Sequence, residues 1–267
     1  MSYSVASVLS IAGSDSSGGA GIQADIKTIQ AHGLFAQTAI TALTAQNTEG
    51  VYGVETPTPE FVGAQIDAVF ADIRPQAVKV GMIASADIAS VVVDRLAHHG
   101  ASRVVVDPVM VSTSGARLID RDAREVLADR LFPLAAVVTP NMPEAEALCG
   151  FEVRDTASMR RAALRLHEET GAAVLVKGGH ASGASADDVL CVDGDVVSIE
   201  GRRIATENTH GTGCTLSSAI ACGLAQGDDV LEAVRAAKRY VAQALAAGFD
   251  MGRGCGPLDH DYARRRP

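Results

Sequence analysis

Short runs of apolar, mostly β-branched residues recur along the chain, and in the clearest of them every residue is apolar. Val104–Val106 and Ala173–Val176 are examples. Strands without polar alternation are typical of a parallel sheet that is covered on both faces. Longer amphipathic stretches such as Phe61–Asp72 separate the runs. The alternation predicts an α/β fold in which a central, mostly parallel sheet carries helices on both faces.

The pattern can be divided into individual elements, all approximate at their ends. The predicted strands are Val5–Ala12, Gln37–Ala45, Gly50–Glu55, Ala77–Val80, Arg103–Asp107, Ala135–Thr139 and Ala173–Lys177, with a hairpin of Asp187–Val192 and Val196–Ile199. The predicted helices are Ile22–His32, Phe61–Asp72, Ala86–His99, Asp122–Leu131, Glu144–Cys149, Ala157–Thr170, Gly213–Ala225 and Val230–Ala247. No Pro/Gly/Ser-rich linker divides the chain, so we predict one domain over 1–267 with a short mobile basic tail at about 261–267.

Composition excludes several classes of function. The 267 residues include 32 acidic and 23 basic ones, a net charge of −9 that argues against a nucleic-acid partner. The five cysteines form no Cys-x-x-Cys pair, so neither a disulfide framework nor a structural zinc site is expected. The longest uncharged stretches, Thr28–Thr48 and Thr209–Gly227, are rich in polar residues and glycine, so we expect no membrane span. The cytoplasm is the expected location.

Ligands of such sheets bind beyond the carboxyl ends of the strands. The first of these ends leads into a glycine-rich segment, Gly13–Gly21, whose backbone could approach a ligand closely. Gly19–Ala24 fits the dinucleotide pattern G-x-G-x-x-A, but the strand ends too early and the acidic residue of a second strand is lacking. The P-loop pattern is also not met, because Gly19-Ala20 stand in place of Lys-Ser/Thr. A plain turn that begins a helix is the alternative.

Three further strand ends carry candidate substrate contacts. The side-chain amide of Gln46 offers a donor and an acceptor side by side, which match the edge of an aminopyrimidine. A solvated glutamine is the alternative. Met82, Val109 and Met110 could form the apolar wall of a pocket, or could belong to the core.

Charged residues at the next strand ends suggest a phosphate and Mg²⁺ site. Asp107 ends an apolar strand, where a carboxylate needs a partner such as hydrated Mg²⁺. Asn141 and Glu144 are placed either to face Mg²⁺ and phosphate or to form a capping box at a helix start. Lys177, followed by two glycines, suggests a phosphate clamp, which we expect to be accessible to solvent without nucleotide.

The segment Asn208–Ser217 is the strongest indication of chemistry. Gly211, Thr212 and Gly213 lead directly into an apolar helix, whose first N–H groups lack helical partners and can bind an anion. At this helix start we expect Cys214 to have a thiol pKa below its usual ~8.5, which would let it contact or deprotonate a hydroxyl. A small buried cysteine in a glycine-rich cap is the alternative.

With these residues in place, the chain from about Val8 to His260 resembles the hydroxymethylpyrimidine/phosphomethylpyrimidine kinases of thiamine biosynthesis, in the ribokinase superfamily. The similarity rests on six segments: Ala12–Asp25, Ala45–Thr48, Lys79–Met82, Thr139–Glu144, Lys177–His180 and Asn208–Cys214. The resemblance implies a ribokinase-like fold, commonly a homodimer. It also implies two successive ATP- and Mg²⁺-dependent phosphorylations, of a hydroxymethyl alcohol and then of its monophosphate.

The resemblance also assigns roles to single positions. It places Gly13, Asp25, Gln46, Met82, Val109 and Cys214 at the pyrimidine, and Asp107, Asn141, Glu144 and Lys177 on the ATP-phosphate and Mg²⁺ side. Gly211–Cys214 form the anion hole, and Thr212 also contacts ATP. Sugar kinases of the superfamily carry an Asp base where this chain has Cys214, which argues against sugar activity. A similar set of pyridoxal kinases carries the same cysteine, so a vitamin B6 kinase is the main alternative, and an NAD-dependent oxidoreductase a distant one.

Overall fold

A computed structural model describes residues 5–110, 121–179 and 185–265. One nine-stranded sheet runs through the molecule in the order β3-β2-β1-β4-β5-β6-β7-β8-β9. The six strands β2, β1, β4, β5, β6 and β7 are parallel to one another, and the antiparallel strands β3, β8 and β9 lie at the two edges. The strands are β1 (Ser7–Asp15), β2 (Phe35–Gln46), β3 (Val51–Glu55), β4 (Ala77–Val80), β5 (Val104–Val106), β6 (Val137–Val138), β7 (Ala173–Val176), β8 (Asp188–Val192) and β9 (Asp195–Ile199).

Helices connect the parallel strands and follow the last hairpin. They are α1 (Gly21–Ala31), α2 (Pro59–Ala71), α3 (Ala86–His98), α4 (Arg121–Val126), α5 (Met142–Cys149), α6 (Thr156–Thr170), α7 (Thr212–Gln226), α8 (Val230–Ala246) and α9 (Tyr262–Arg265). A π-helical turn, Leu127–Leu131, and a 3-10 turn, Phe132–Leu134, follow α4.

Alternate residues of the central strands point into two separate apolar layers. Val104 and Val106 pack with α2 and α3 on one face, whereas Val105 packs with α7 and α8 on the other. A third cluster lies between α5, α6 and the strands β7 and β8. Fully apolar strands are therefore buried on both sides, and the predicted α/β fold is confirmed.

The elements differ from the prediction mainly at their ends. β1 continues to Asp15, beyond the predicted Ala12, because it pairs with β2 across a bulge at Ala12/Gly13. The predicted helix Asp122–Leu131 changes to a π-helical turn after Val126. The part of the expected tail within the described residues includes the short helix α9.

Parallel pairing brings the carboxyl ends of six strands to one edge of the sheet. Asp15, Gln46, Val80, Val106, Val138 and Val176 are the last residues of those strands. The segments that follow them surround the cavity described next. Of the segment Lys177–His180, which is part of the resemblance, His180 lies outside the described residues.

Candidate active site

A cavity of about 760 Å³ opens at the carboxyl ends of the strands. Its size is in the range of small-molecule sites. Thirteen of the fourteen candidate residues predicted from the sequence line it: Gly13, Gln46, Met82, Asp107, Val109, Met110, Asn141, Glu144, Lys177, Gly211, Thr212, Gly213 and Cys214. The strand ends therefore bring these distant segments together at one cavity, and the site roles of the residues stay predictions.

The start of α7 forms a backbone cup in the cavity wall. Gly211 precedes the helix with a φ of +85°, and no side chain caps the helix. A side chain at Gly211 would overlap the carbonyl oxygen of Gly19, so the glycine allows the loops before α1 and α7 to touch. α7 is buried along nearly its whole length, which fixes the direction of its first N–H groups. Such a helix start can bind a phosphoryl group.

Cys214 lies partly exposed in the first turn of α7. Burial raises the pKa of its thiol to about 11, and the carboxylates of Asp25 and Asp107 act in the same direction. The ammonium of Lys79 and the N–H of Gly21 oppose the shift but do not cancel it. The expected lowering of this pKa is therefore wrong, because desolvation of the sulfur outweighs the helix terminus.

Lys177 is held between two carboxylates. Its Nζ lies 2.7 Å from Oδ1 of Asp107 and 3.9 Å from Oε2 of Glu144, and its side chain is only 13% exposed. The expectation of a solvent-accessible lysine is therefore wrong. Burial would lower the pKa of Lys177, but Asp107 and Glu144 raise it above its usual value. Burial raises the pKa of Glu144 to about 7, against the opposing charge of Lys177.

Asn141 and Glu144 form the capping box that was the alternative to a phosphate role. Oδ1 of Asn141 accepts from the Glu144 N–H at 2.9 Å, and Oε2 of Glu144 accepts from the Asn141 N–H at 2.7 Å. Both residues nevertheless line the cavity. The cap thus fixes the Glu144 carboxyl beside Lys177 and does not exclude a ligand.

The donor set fits a hydrated Mg²⁺ bound together with phosphate. Asp107 and Glu144 supply carboxylate oxygens on the two sides of one lysine. No group of three or more His, Cys, Asp or Glu side chains suited to a metal occurs among the described residues. Mg²⁺ commonly takes one or two carboxylates and completes its shell with water and substrate phosphate, so the two carboxylates suffice.

Asp25 is the predicted site residue that does not line the cavity. Its carboxylate is fully buried and pairs with Nζ of Lys79 at 2.9 Å. It also accepts from Ser10 Oγ at 2.5 Å and Ser218 Oγ at 2.7 Å. Asp25 therefore lies behind the first turns of α7 and supports that helix through its hydrogen bond with Ser218.

The sequence interpretation missed two buried residues of the wall, Asp15 and His210. Nε2 of His210 lies 2.8 Å from Oδ2 of Asp15, and the pair joins the end of β1 to the loop before α7. Burial would raise the pKa of Asp15, but hydrogen bonds from His210, Ser17 and Ala20 bring it well below its usual range. Both residues lie inside segments that carry the family resemblance. An acidic residue next to glycines was the feature of the sequence that could have indicated this pair.

A further apolar stretch of the wall comes from α8 and the segment before α7. Ile204, Val241 and Leu245 line the cavity there, with Lys238 in the same wall. These side chains also went unpredicted, since a helix face directed at a ligand has the same apolar spacing as one directed at the core. Their apolar character suits an aromatic base.

The chain is similar to known proteins over nearly its whole length. The profile of the phosphomethylpyrimidine kinase family matches residues 15–259. A hydroxymethylpyrimidine/phosphomethylpyrimidine kinase of Rhizobium meliloti is 51% identical over 256 residues, which are 94% of this chain and 96% of that protein. A thiamine biosynthesis bifunctional protein of Geobacter sulfurreducens is 51% identical over 257 residues, and this chain spans only about half of its length, 52%.

Two solved structures agree with the fold. The ADP complex of Bacillus subtilis pyridoxal kinase matches with a TM-score of 0.91 and 36% identity, covering 98% of this chain and 100% of that one. Phosphomethylpyrimidine kinase of Clostridium difficile matches with a TM-score of 0.80 and 43% identity, covering 90% and 99%. From the profile and the near-complete coverage of the Rhizobium relative, the chain belongs to the phosphomethylpyrimidine kinase family.

Proposed function

We propose that the chain is an ATP-dependent kinase of thiamine biosynthesis. It phosphorylates 4-amino-5-hydroxymethyl-2-methylpyrimidine and then the resulting monophosphate. The observation that carries the proposal is the convergence, in one cavity, of the Gln46 amide, the backbone cup at Gly211–Cys214 and the group of Asp107, Glu144 and Lys177. The oxidoreductase alternative is not retained, because the family is one of kinases.

The residues divide the work between recognition and transfer. Gln46 binds the aminopyrimidine edge, and Gly13, Met82 and Val109 enclose the ring. The N–H groups of Gly211–Cys214 take up the charge that spreads over the transferring phosphoryl oxygens. Lys177 neutralises phosphate, and Asn141 and Thr212 contact ATP. Asp107 and Glu144 hold Mg²⁺, which supplies charge neutralisation between the ATP phosphates when bound.

Cys214 serves as a neutral lining of the site in this proposal. A thiol with a pKa of about 11 holds its proton at neutral pH, so it can donate a weak hydrogen bond to the substrate hydroxyl. Phosphoryl transfer has a loose transition state, so early removal of the hydroxyl proton contributes little. The N–H groups of the backbone cup therefore contribute more to catalysis than the Cys214 thiol does.

A vitamin B6 kinase activity is the second candidate. It is favoured by the similarity to the Bacillus subtilis pyridoxal kinase and by the position of Cys214 in the cavity wall. An aldehyde of the pyridoxal type could accept the sulfur at carbon and the thiol proton at oxygen, giving a hemithioacetal. This activity would accompany the pyrimidine reaction in the same cavity.

One assay tests both candidates. The purified protein is incubated with ATP–Mg²⁺ and, separately, the hydroxymethylpyrimidine, its monophosphate and pyridoxal, and the products are identified by mass spectrometry. We expect the pyrimidine monophosphate and diphosphate, with a lower rate on pyridoxal. Phosphorylation of pyridoxal alone would contradict the main proposal. The variant Gly213→Val serves as the inactive control for contaminating kinases.

We also propose that the protein is a cytoplasmic homodimer. β3 is an edge strand with exposed Tyr52 and Val54. The backbone groups along an edge strand can pair with a strand of a second copy. We expect light scattering to give twice the mass of the chain for the wild type and a monomer for Val54→Lys. Leu164→Lys, at another exposed apolar position, should leave the dimer intact. Among the described helices, none has the length and apolar character to cross a membrane.

A further inference from the structure

The carboxamide of Gln46 lies between two polar side chains. As placed, Oε1 of the amide lies 3.1 Å from Oγ1 of Thr44, and Nε2 of the amide lies 3.5 Å from Nε2 of His210. Gln46 itself is only partly buried and faces the cavity. Both of its neighbours thus contact the group that is proposed to read the substrate ring.

Thr44 decides which end of the amide faces it. Its hydroxyl has one proton, and two acceptors lie near it, the carbonyl oxygen of Ser14 at 3.0 Å and Oε1 of Gln46 at 3.1 Å. With the proton donated to Ser14, the nearer acceptor, Oε1 faces a hydroxyl oxygen that has no further hydrogen to give. The hydroxyl oxygen is then free only to accept. A hydrogen bond between Thr44 and Gln46 then requires the NH₂ end of the amide on the Thr44 side, the reverse of its placement, and the oxygen and nitrogen of an amide are assigned by such networks.

His210 leads independently to the same orientation. Its Nε2 lies 2.8 Å from the Asp15 carboxylate, an acceptor only, so this ring nitrogen carries a hydrogen. If the NH₂ group of Gln46 pointed at this nitrogen, two hydrogen-bond donors would face each other. Oε1 of Gln46 can instead accept from the same N–H that donates to Asp15. Asp15 is itself fixed by N–H groups of Ser17, Gly19 and Ala20.

We propose that Thr44 and the Asp15–His210 pair are specificity-determining residues, which hold the Gln46 amide in one of its two orientations. The inference rests on the proposed function, in which Gln46 reads the pyrimidine edge. With Nε2 toward Thr44 and Oε1 toward His210, one N–H and one lone pair are left for the ligand. The site then accepts a donor and an acceptor in a single order.

The order of donor and acceptor distinguishes two closely related rings. A 4-aminopyrimidine offers an amino donor beside the N3 acceptor, whereas its 4-oxo analogue offers an oxygen acceptor beside an N3–H donor. A freely turning glutamine could match either ring. The ring cannot turn to compensate, because its 5-hydroxymethyl group has to face the backbone cup of Gly211–Cys214. A fixed amide therefore rejects the oxo ring.

Binding of these two rings tests the proposal. We expect the wild type to bind 4-amino-5-hydroxymethyl-2-methylpyrimidine more tightly than the 4-oxo analogue by calorimetry. Thr44→Val and His210→Phe keep the side-chain size but release one end of the amide, so each should reduce the amino-to-oxo affinity ratio by about tenfold. Thr38→Val, six residues earlier on the same strand, should leave the ratio unchanged.

The affinity ratio separates positioning from a merely structural role. A structural defect would weaken the binding of both rings alike. An unchanged amino-to-oxo affinity ratio in both Thr44→Val and His210→Phe would therefore overturn this inference and leave the proposed function standing. A wild type that binds the two rings equally would overturn it as well. Failure of the wild type to bind either ring would overturn the proposed function and, with it, this inference. Circular dichroism of each variant checks that it is folded.

Discussion

At the residue scale, burial around Cys214 changes what its side chain can contribute. Because the pKa of the thiol is raised to about 11, we expect Cys214→Ala to be slowed but clearly active. Single-turnover phosphoryl transfer is measured for both proteins across pH. The wild-type rate should show no ionisation near the usual thiol pKa of ~8.5. An inactive but folded Cys214→Ala, with a thiol-like pH profile in the wild type, would instead identify the thiolate as the base.

Gly213 provides the matched comparison for Cys214 in the same turn. A Cβ at this position would lie 3.2 Å from Oδ2 of Asp107 and 3.5 Å from Nζ of Lys177. The larger Val side chain would enter the space where phosphate is expected to bind, so Gly213→Val should nearly abolish turnover with the same assay. Gly213→Ala should be affected less. Equal turnover of Gly213→Val and the wild type would place the phosphoryl group elsewhere.

Lys177 links activity to pH-dependent stability. We expect Lys177→Met to slow phosphoryl transfer and to leave two carboxylates without their shared cation, at a cost of about 1–3 kcal/mol near pH ~8. Burial raises the pKa of Glu144 to about 7 in the folded protein, whereas the pKa of an unfolded Glu is ~4.3. Ionisation of Glu144 therefore opposes folding as the pH rises through this range. The stability difference should therefore shrink near pH ~6. Urea unfolding at both pH values measures it, and a pH-independent difference would contradict this account.

The residues that the sequence could not resolve are those whose meaning depends on a distant partner. Gln46, Lys177 and Gly211–Cys214 stand out because each follows a recognisable strand or begins a helix. Lys177 pairs with Asp107 across 70 positions and Lys79 with Asp25 across 54, and no local pattern shows such pairs. The pair with Asp107 helps to bury Lys177, and desolvation of the sulfur raises the pKa of Cys214, so the sequence mispredicted the accessibility of the lysine and the pKa of the thiol.

At the element scale, α7 is supported from behind by the C-terminal segment. Nε2 of His260 lies 2.9 Å from Oγ1 of Thr215, and that hydroxyl donates to the Gly211 carbonyl oxygen at 2.8 Å. His210 in turn donates its backbone N–H to Gly256. Sequence patterns predicted α7 from its apolar run, but they give no sign that the chain end braces it. The backbone cup is thus held in place by residues far from it in sequence.

The brace predicts acid-sensitive stability. Burial lowers the pKa of His260 from 6.5 to about 4, and the positive charge of Lys27 adds to the shift. A folded pKa below the unfolded value means that stability is complete above pH ~6.5 and is lost as pH falls toward ~4, by up to roughly 3 kcal/mol. His260→Gln should lose less stability over this range in urea unfolding. His98→Gln, at an exposed histidine, should behave like the wild type.

At the scale of the whole molecule, the class of fold followed from the apolar strands, but their lengths did not. β6 has only two residues where five were expected, and β2 has twelve where nine were expected. Strand length depends on the neighbours that supply hydrogen bonds: β1 pairs with the added residues Phe35 and Ala36 of β2, and β3 pairs with the added Gln46. The pairing order of the sheet is likewise a property of the whole and is not written in any single segment.

The buried pair of Lys79 and Asp25 joins β4 and α1 beneath α7, with side-chain contacts from Ser10 of β1 and Ser218 of α7. Burial would lower the pKa of Lys79, but Asp25 raises it above its usual value, so the ion pair persists at neutral pH. Lys79→Met leaves a carboxylate alone in the interior and should cost about 3–5 kcal/mol in urea unfolding.

The double variant Lys79→Met/Asp25→Asn should recover part of that loss, because no uncompensated charge is left in the interior. Arg130→Met is the matched control, since Arg130 and Asp94 form an ion pair of 2.8 Å with about half of each side chain exposed, and such pairs contribute less than about 1 kcal/mol. If Lys79→Met cost no more than Arg130→Met, the pair would not be what ties four elements together. If the double variant were less stable than Lys79→Met, the hydrogen bonds of Asp25 with Ser10 and Ser218 would matter more than its charge.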